Sequence, residues 1–274
     1  MVASGEWCWG TSFYHKRNTM DFFYSVVQLH FTIGQYISFS DRTQKRMDEY
    51  IAYLKKTYLV IDLPRAIIWT NTHIATQCIS NIPVPAYTND FRIVISPDME
   101  EWREIYLRQM EPYADTCRSD RRIGLVLDYY NRSLSENNIL QILGHELAHH
   151  SELFLDDFSS EYDNGIWFEE GMVEYISRKY FLTEEEFQNE LCINKILVDL
   201  YENCQPGNSL EEFGSATYKC DYGRIFYEYW RSFLAVNKIV DAFQGDVLAV
   251  FRSYHEWHNA NTAAPLSEWF DALT

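Results

Sequence analysis

The sequence predicts an α+β protein in which the strands lie in the first half and the second half is mostly helical. Short runs rich in β-branched and aromatic residues, bounded by Pro, Asn, Asp and Gly, occur before residue 133. After that point apolar residues recur at spacings of three and four, as amphipathic helices require. Because 47% of the 274 residues are hydrophobic, the chain can bury a sizeable core.

Four runs in the first half predict strands of one mixed sheet, and two stretches between them predict helices. The strand runs are "VVQLHFTIGQYISF" (26–39), "RAIIWTNT" (65–72), "FRIVISPD" (91–98) and "RIGLVLDYY" (122–130). The helical stretches, 41–59 and 98–114, combine helical apolar spacing with residues of high helix propensity. We therefore expect an N-terminal α+β subdomain over residues 1–132.

Residues 133–274 predict a helical subdomain, which includes "SLSENNILQILGHELAHH" and "IWFEEGMVEYISRKYF". Segments concentrated in Pro, Gly, Ser, Asn or Asp predict loops at 80–90, 154–165 and 205–214. The sequence contains no internal repeat, and no flexible linker lies between the two subdomains. We expect them to form one unit, with a functional site in the cleft between them.

Charge and composition exclude several classes of partner. A formal net charge of −17 disfavours nucleic acid, because a phosphate backbone would be repelled. Apolar stretches fall short of the roughly 18 residues that a membrane span needs, and the start lacks a signal-like pattern. The six cysteines form no CxxC pair, so we expect free thiols and a cytoplasmic protein.

One predicted helix carries a pattern of chemical interest. Ser133 and Glu136 resemble a capping box, so the helix is expected from about Leu134 to about His150. His145 and His149 then lie one turn apart on a shared face, where two imidazoles can bind one metal ion. Glu146 points about 100° away from His145. Its carboxylate is placed beside the metal, where it can take a proton from a bound water.

A hydrolytic zinc site needs three protein ligands and one open position, and the following helix offers the third. We expect Glu170, with Glu169 as its competitor, because adjacent helical residues point about 100° apart and only one can face the metal. Gly171 favours Glu170, since a residue without a side chain lets the two helices approach closely. Glu174, one turn further on, is either a partner for the second N–H of a ligand histidine or an ordinary exposed glutamate.

The segments "HELAH" (145–149) and "WFEEGMVEY" (167–175) resemble the gluzincin zinc metallopeptidases, whose pattern is HExxH followed by a glutamate in W-x-x-E-G-x-x-x-Y. The aminopeptidase N family and the bacterial peptidase MA-like proteins share this pattern, and thermolysin-like enzymes have a shorter form. The resemblance is specific over residues 133–180. It implies a thermolysin-like catalytic domain, the zinc ligands His145, His149 and Glu170, and Glu146 as general base and acid.

The same resemblance implies how a peptide or protein substrate would be held and cleaved. In this superfamily an edge strand before the motif helix binds extended substrate by strand addition, and "RIGLVLDYY" (122–130) occupies that position. Related enzymes place a tyrosine from a later helix near the developing oxyanion. Tyr222 is the candidate here, with Tyr218 and Tyr229 as rivals. A G-A-M-E-N segment, the signature of an exopeptidase, does not occur.

Two other functions remain open on the sequence. The first is a zinc hydrolase that acts on a non-peptide amide or another small molecule, since the chemistry requires only a polarised carbonyl. The second is a binding module that retains the scaffold without catalysis, against which the intact Glu146 argues. His255 and His258, at positions i and i+3, are a further pair of possible ligands but lack a third.

Overall fold

A small mixed sheet and a larger set of helices form an α+β fold, which confirms the predicted class. The computed structural model describes residues 21–24, 33–79, 83–110, 113, 120–155, 165–205 and 207–273. The strands are β1 (Asp21–Tyr24), β2 (Ala66–Trp69), β3 (Ala86–Asn89) and β4 (Arg92–Ile95). Their spatial order is β1-β2-β4-β3, and only β3 runs antiparallel to its neighbour.

The strands β3 and β4 form a hairpin that leaves β3 at an edge of the sheet. Ala86 pairs with Ile95 at one end and Asn89 with Arg92 at the other. The Asn89 side chain accepts hydrogen bonds from the backbone N–H groups of Phe91 and Arg92, which holds the turn. The edge strand therefore has a fixed register.

Helices make up most of the rest of the described chain. The longer ones are α1 (Ile33–Thr57), α2 (Met99–Arg108), α3 (Arg121–Arg132), α4 (Glu136–Ala148), α5 (Ile166–Phe181), α6 (Glu184–Cys204), α7 (Tyr222–Ala242), α8 (Val247–Asn259) and α9 (Leu266–Asp271). Several begin at a side chain that accepts a backbone N–H, among them Asp98, Asp120 and Thr183. In the part of the chain that is described, no helix is both long and apolar enough to cross a bilayer.

The expected strand at 122–130 is wrong, because these residues lie in helix α3. Asp120 caps the helix by accepting from the backbone N–H of Arg122. Val126 and Tyr130, one turn apart, are buried, whereas Leu125 is 59% exposed. This pattern of burial is that of a helix. The prediction failed because a short apolar run fits a strand as well as a buried helix.

The expected strand at 26–39 is also wrong over its described part. Residues 33–39 lie in α1, whereas residues 26–32 lie outside the described residues. Tyr36 and Phe39 are buried, and the same stripe continues to Met47 and Tyr50. The spacing of these side chains is that of one helix face.

The motif helix α4 starts later than the sequence pattern predicts. Ser135, not Ser133, is the N-cap, and it forms a capping box with Asn138. The Ser135 hydroxyl accepts from the backbone N–H of Asn137, and Asn138 Oδ1 accepts from the backbone N–H of Ser135. The helix ends at Ala148, and His149 is its C-cap.

Helix α4 is buried along nearly its whole length. Gly144 allows close packing, since a Cβ there would lie 2.6 Å from Cε2 of Phe181 and 3.1 Å from Cε1 of Tyr50. The Tyr50 hydroxyl also donates to the Gly144 carbonyl oxygen at 3.0 Å. One continuous core cluster joins sheet residues such as Ile93 with α4 residues such as Leu143. The motif helix is therefore fixed from several sides.

Gly171 contributes to a different contact from the one expected. A Cβ on Gly171 would lie 2.5 Å from the carbonyl oxygen of Ser232, in α7. The glycine thus allows α5 to approach α7 rather than α4. This matters for the site, because α7 carries Tyr229 toward the residues of α5.

Candidate metal centre

Three side-chain atoms from α4, its C-cap and α5 converge on one point. His145 Nε2 lies 3.2 Å from His149 Nε2 and 3.2 Å from Glu170 Oε2. His149 Nε2 lies 3.5 Å from the same carboxylate oxygen. A tetrahedral zinc ion with bonds near 2.0–2.1 Å has ligand atoms roughly 3.3–3.4 Å apart. The three atoms thus have the spacing of three corners of a tetrahedral metal-coordination sphere.

The chemistry of the three atoms also fits a cation. Glu170 is buried, and its Oε2 atom has no hydrogen-bond partner among the described residues. If each histidine carries its proton on Nδ1, both Nε2 atoms direct lone pairs toward this oxygen. Three buried lone pairs that face one another are unfavourable unless a positive charge lies between them. A divalent metal ion would supply that charge.

Each ligand histidine has a carboxylate beside its second ring nitrogen. Glu174 Oε1 lies 2.9 Å from His145 Nδ1, although this contact is not well directed for a hydrogen bond. Glu169 Oε1 lies 2.6 Å from His149 Nδ1 and is hydrogen-bonded to it. Carboxylates in this position hold a histidine in the tautomer that presents Nε2 to a metal.

Glu169 is a residue whose role the sequence does not predict. Its position in the sequence indicates only a rival ligand to Glu170. Because adjacent helical residues diverge by about 100°, Glu169 and Glu170 reach His149 from opposite sides of its ring, at Nδ1 and Nε2. The offset of about 100° prevents both glutamates from binding one metal ion. It does allow Glu170 to be a metal ligand while Glu169 binds the outer nitrogen of His149.

Burial and the close approach of charged groups shift the pKa values of the side chains at the candidate metal centre. Burial raises the pKa of Glu146 to about 7, although the charges of His145 and His149 oppose this. Burial also disfavours ionised Glu170, but the nearby charges of His149 and His145 outweigh it and lower the pKa of Glu170. Burial lowers the pKa of His149, yet Glu170 and Glu169 raise it well above its usual range. The carboxylates therefore favour a cation here, whether a proton or a metal ion.

Two tyrosines from later in the chain contact the other oxygen of Glu170. The Tyr218 hydroxyl donates to Glu170 Oε1 at 2.9 Å and the Tyr229 hydroxyl at 3.3 Å. The two hydroxyl oxygens lie 3.1 Å apart. Burial, followed by the Glu170 charge, raises the pKa of both phenols well above the usual value. Both therefore remain protonated donors at neutral pH.

Tyr222, the tyrosine that the sequence favours, lies elsewhere. Its hydroxyl donates to the carbonyl oxygen of Pro83 at 3.0 Å. Tyr222 is the first residue of α7, and seven residues of helix separate it from Tyr229 by about 10 Å along the axis. The structure therefore brings the hydroxyls of Tyr229 and Tyr218, and not that of Tyr222, to Glu170.

The remaining histidine candidates have other contacts. His150 Nε2 lies 2.8 Å from Thr88 Oγ1 and so links the end of α4 to the edge strand β3. His255 donates from Nε2 to the Leu153 carbonyl oxygen at 2.8 Å, so this nitrogen of the possible ligand pair with His258 has another partner. Over the described ranges, the group His145, His149 and Glu170 is the one set of metal-ligating side chains that meets.

Comparisons with known proteins identify no relative: no family model, no curated protein and no solved structure matches the chain. The resemblance to gluzincins therefore depends on residues 145–149 and 167–175 themselves. What the fold adds is the convergence of the two segments at one buried point.

A pocket opens beside His145 and Glu146. Its walls come from the start of β3 and the segment before it, and from the helices α2 to α7 with the connection between α3 and α4, so that it lies between the sheet and the helical half. The residues that line it are Val84, Ala86, Trp102, Tyr106, Tyr130, Leu134, Asn138, Gln141, Ile142, His145, Glu146, Glu174, Arg178, Glu190, Asn194, Phe226, Tyr229 and Trp230. A substrate group in this pocket would lie next to the candidate base Glu146.

Proposed function

We propose that the chain is a zinc-dependent hydrolase of peptide bonds that works in the manner of gluzincin metallopeptidases. The observation that carries the proposal is the convergence of His145, His149 and Glu170, with Glu146 buried next to them. Two imidazole nitrogens and one carboxylate oxygen at tetrahedral spacing are a ligand set that suits zinc and leaves one position open.

The residues around the centre can divide the steps of hydrolysis among them. A bound zinc ion would lower the pKa of a water molecule and polarise the scissile carbonyl group. With zinc bound, Glu146 would accept the proton from that water and return it to the leaving amine. Because Glu146 lines the pocket together with His145, it faces the space that the substrate would occupy.

Tyr229 is the better placed donor for the developing oxyanion. It lines the pocket, and its hydroxyl lies at hydrogen-bond distance from Glu170. Tyr218 lies behind it, with its hydroxyl on both Glu170 and Tyr229. We assign Tyr229 to the oxyanion and Tyr218 to holding Tyr229 and Glu170 in place.

The substrate backbone would bind at β3 rather than at residues 122–130. In the described part of the chain β3 pairs with β4 alone, so its other edge is available to an extended peptide. The contact between Thr88 and His150 fixes this strand against the end of the motif helix. An added peptide strand would therefore run past the metal centre.

Metal content and peptide cleavage together test the proposal. Wild-type protein should contain about one zinc ion per chain, as three converging ligands require, and should cleave peptides of a mixed library. Glu170→Ala should lose the metal and the activity, whereas His258→Ala, a change at an exposed histidine, should retain both. Wild-type protein that takes up no zinc even when zinc is supplied would contradict the proposal.

A second candidate function is hydrolysis of a small amide. The observation in its favour is the aromatic pocket, which could enclose a small molecule beside Glu146. Comparison of peptides with acylated amines of similar size distinguishes the two functions. Turnover of the small amides alone would favour this second function, whereas turnover that rises with peptide length would favour binding along β3.

A further inference from the structure

The pocket beside Glu146 has walls that suit a long aliphatic chain. Most of its apolar lining is aromatic, from Trp102, Tyr106, Tyr130, Phe226 and Trp230. These rings pack on one another, and Tyr106 stacks on Tyr130 at a centroid distance of 4.9 Å. The walls are therefore held in place before any substrate enters. Such faces can contact both methylene groups and a cation.

The polar side of the pocket has more negative than positive charge. Arg178 forms ion pairs with Glu174 and with Glu190, the latter at 3.5 Å. Its guanidinium group also lies over the ring of Phe233, 4.2 Å from the centroid. One cation between two carboxylates leaves one negative charge over on this side of the pocket, away from the metal centre.

Glu190 is the carboxylate of this group that lies away from the metal centre. The Tyr129 hydroxyl donates to Oε1, and Asn194 Nδ2 donates to Oε2 at 3.1 Å. With the distant Arg178 contact, these bonds fix the carboxylate but do not use all the acceptor positions of its two oxygens. Glu190 therefore retains capacity for a further cationic donor.

We propose that this pocket binds the basic side chain, Lys or Arg, of the substrate residue beside the scissile bond. The inference rests on the proposed peptide hydrolysis and names its substrate class. The aromatic walls would contact the aliphatic stem, and Glu190 would accept hydrogen bonds from the cationic head group. A net charge of −17 would also draw basic peptides toward the protein.

Other side chains fit this pocket less well. An acidic side chain would be repelled by Glu190 and Glu174, and it would find Arg178 already paired with both. A neutral apolar side chain of the same length would fill the walls but leave the excess negative charge without a partner. The chemistry of the lining therefore selects a cation with an apolar stem.

Peptides that differ at a single position test whether the protein prefers a basic side chain. Peptides that differ only in Lys, norleucine or Glu at the position beside the cleaved bond are compared by kcat/KM. We expect Lys over norleucine by roughly tenfold or more, the size of discrimination that one pocket contact gives, and Glu below both. Equal values for Lys and norleucine would overturn the proposal.

Substitution of Glu190 tests whether this pocket causes the preference for Lys over norleucine. Glu190→Gln should bring the ratio of Lys to norleucine close to one while zinc content stays at the wild-type level. Glu184→Gln is the matched control, because Glu184 lies on the same helix with its side chain 71% exposed, and should keep the wild-type ratio. An unchanged ratio in folded, zinc-loaded Glu190→Gln would overturn the proposal.

A binding measurement separates failure of the pocket from failure of the hydrolase. n-Butylguanidine, a guanidine with an aliphatic stem, is titrated into zinc-loaded wild-type protein by calorimetry, with n-pentanol as the neutral comparison. Binding of n-butylguanidine that Glu190→Gln weakens would support the pocket even if no peptide were cleaved. Cleavage of peptides with neither Lys preference nor n-butylguanidine binding would overturn the pocket and leave the hydrolase function standing.

Discussion

Glu169 Oε1 lies 2.6 Å from His149 Nδ1, while the next residue, Glu170, directs Oε2 to within 3.5 Å of Nε2 on the same ring. One imidazole is thus held between two successive carboxylates of a single helix. His145 has the same arrangement in outline, with Glu174 at Nδ1 and Glu170 at Nε2. Both candidate ligand histidines are therefore oriented by α5, which also supplies the third candidate ligand.

Removal of the Glu169 charge should weaken metal binding without changing the ligands. Glu169→Gln keeps the size of the side chain but no longer fixes the Nδ1–H tautomer of His149. Loss of such an outer partner lowers metal affinity by about 10–100-fold. Competition with a chromophoric zinc chelator measures the change. Glu185→Gln, at an exposed position of α6, should bind zinc as the wild type does; equal affinities in the two variants would show that Glu169 has no such role.

Glu146→Gln should separate metal binding from turnover. Its amide cannot take a proton from water, so kcat should fall by at least about 100-fold, the contribution of a positioned general base. Zinc content should remain that of the wild type, since Glu146 is not one of the three converging ligands. Elemental mass spectrometry and peptide cleavage on the same preparation check both results. Full activity in this variant would contradict the mechanism.

Phenylalanine substitutions should rank the three tyrosines. Tyr229→Phe removes the donor nearest the pocket and should lower kcat by about 10²–10³-fold, the cost of a lost oxyanion donor. Tyr218→Phe should cost less, because its hydroxyl acts through Glu170 and Tyr229. Tyr222→Phe, whose hydroxyl contacts Pro83, should retain wild-type kcat. If Tyr222→Phe instead lowered kcat the most, Tyr222 would be the oxyanion donor, as the sequence suggests.

A pair of glycine substitutions should have opposite effects on stability. Gly171→Ala places a Cβ 2.5 Å from the Ser232 carbonyl oxygen, and overpacking of this kind costs about 1–3 kcal/mol. A Cβ on Gly124, in α3, would have no other atom within 4 Å among the described residues. Gly124→Ala should therefore raise the free energy of unfolding by about 0.5–1 kcal/mol through helix propensity. Urea unfolding followed by circular dichroism measures both changes.

Zinc should stabilise the folded protein through the three ligands. At a free concentration about 1,000 times the dissociation constant, a ligand that binds only the native state adds about 4 kcal/mol to the free energy of unfolding. Thermal unfolding of chelator-treated protein, before and after zinc is restored, measures this effect. Glu170→Ala should show little response to zinc, and a response equal to that of the wild type would place the metal elsewhere.

The parts of the site that sequence could predict are those set by spacing along one helix. His145, Glu146 and His149 follow from helical geometry. The offset between neighbours on the next helix shows only that one of Glu169 and Glu170 can face them, and the inference of Glu170 from Gly171 is wrong, since Gly171 packs against α7. Residues 122–130 resemble a strand because their apolar content hides a helical stripe, whose burial depends on packing against distant segments. Tyr229 could not be preferred over Tyr222, since both lie on α7 and only tertiary packing decides which one reaches Glu170.

The two oxygens of Glu170 have different partners, and this difference governs the number of bonds it can offer a metal. Tyr218 and Tyr229 donate to Oε1, which leaves Oε2 alone to face the histidines. A carboxylate restrained in this way binds through one oxygen rather than two. Zinc held by three single bonds keeps its fourth position for water. By binding the other oxygen of Glu170, the two phenol groups would therefore preserve the open coordination position on which hydrolysis would depend.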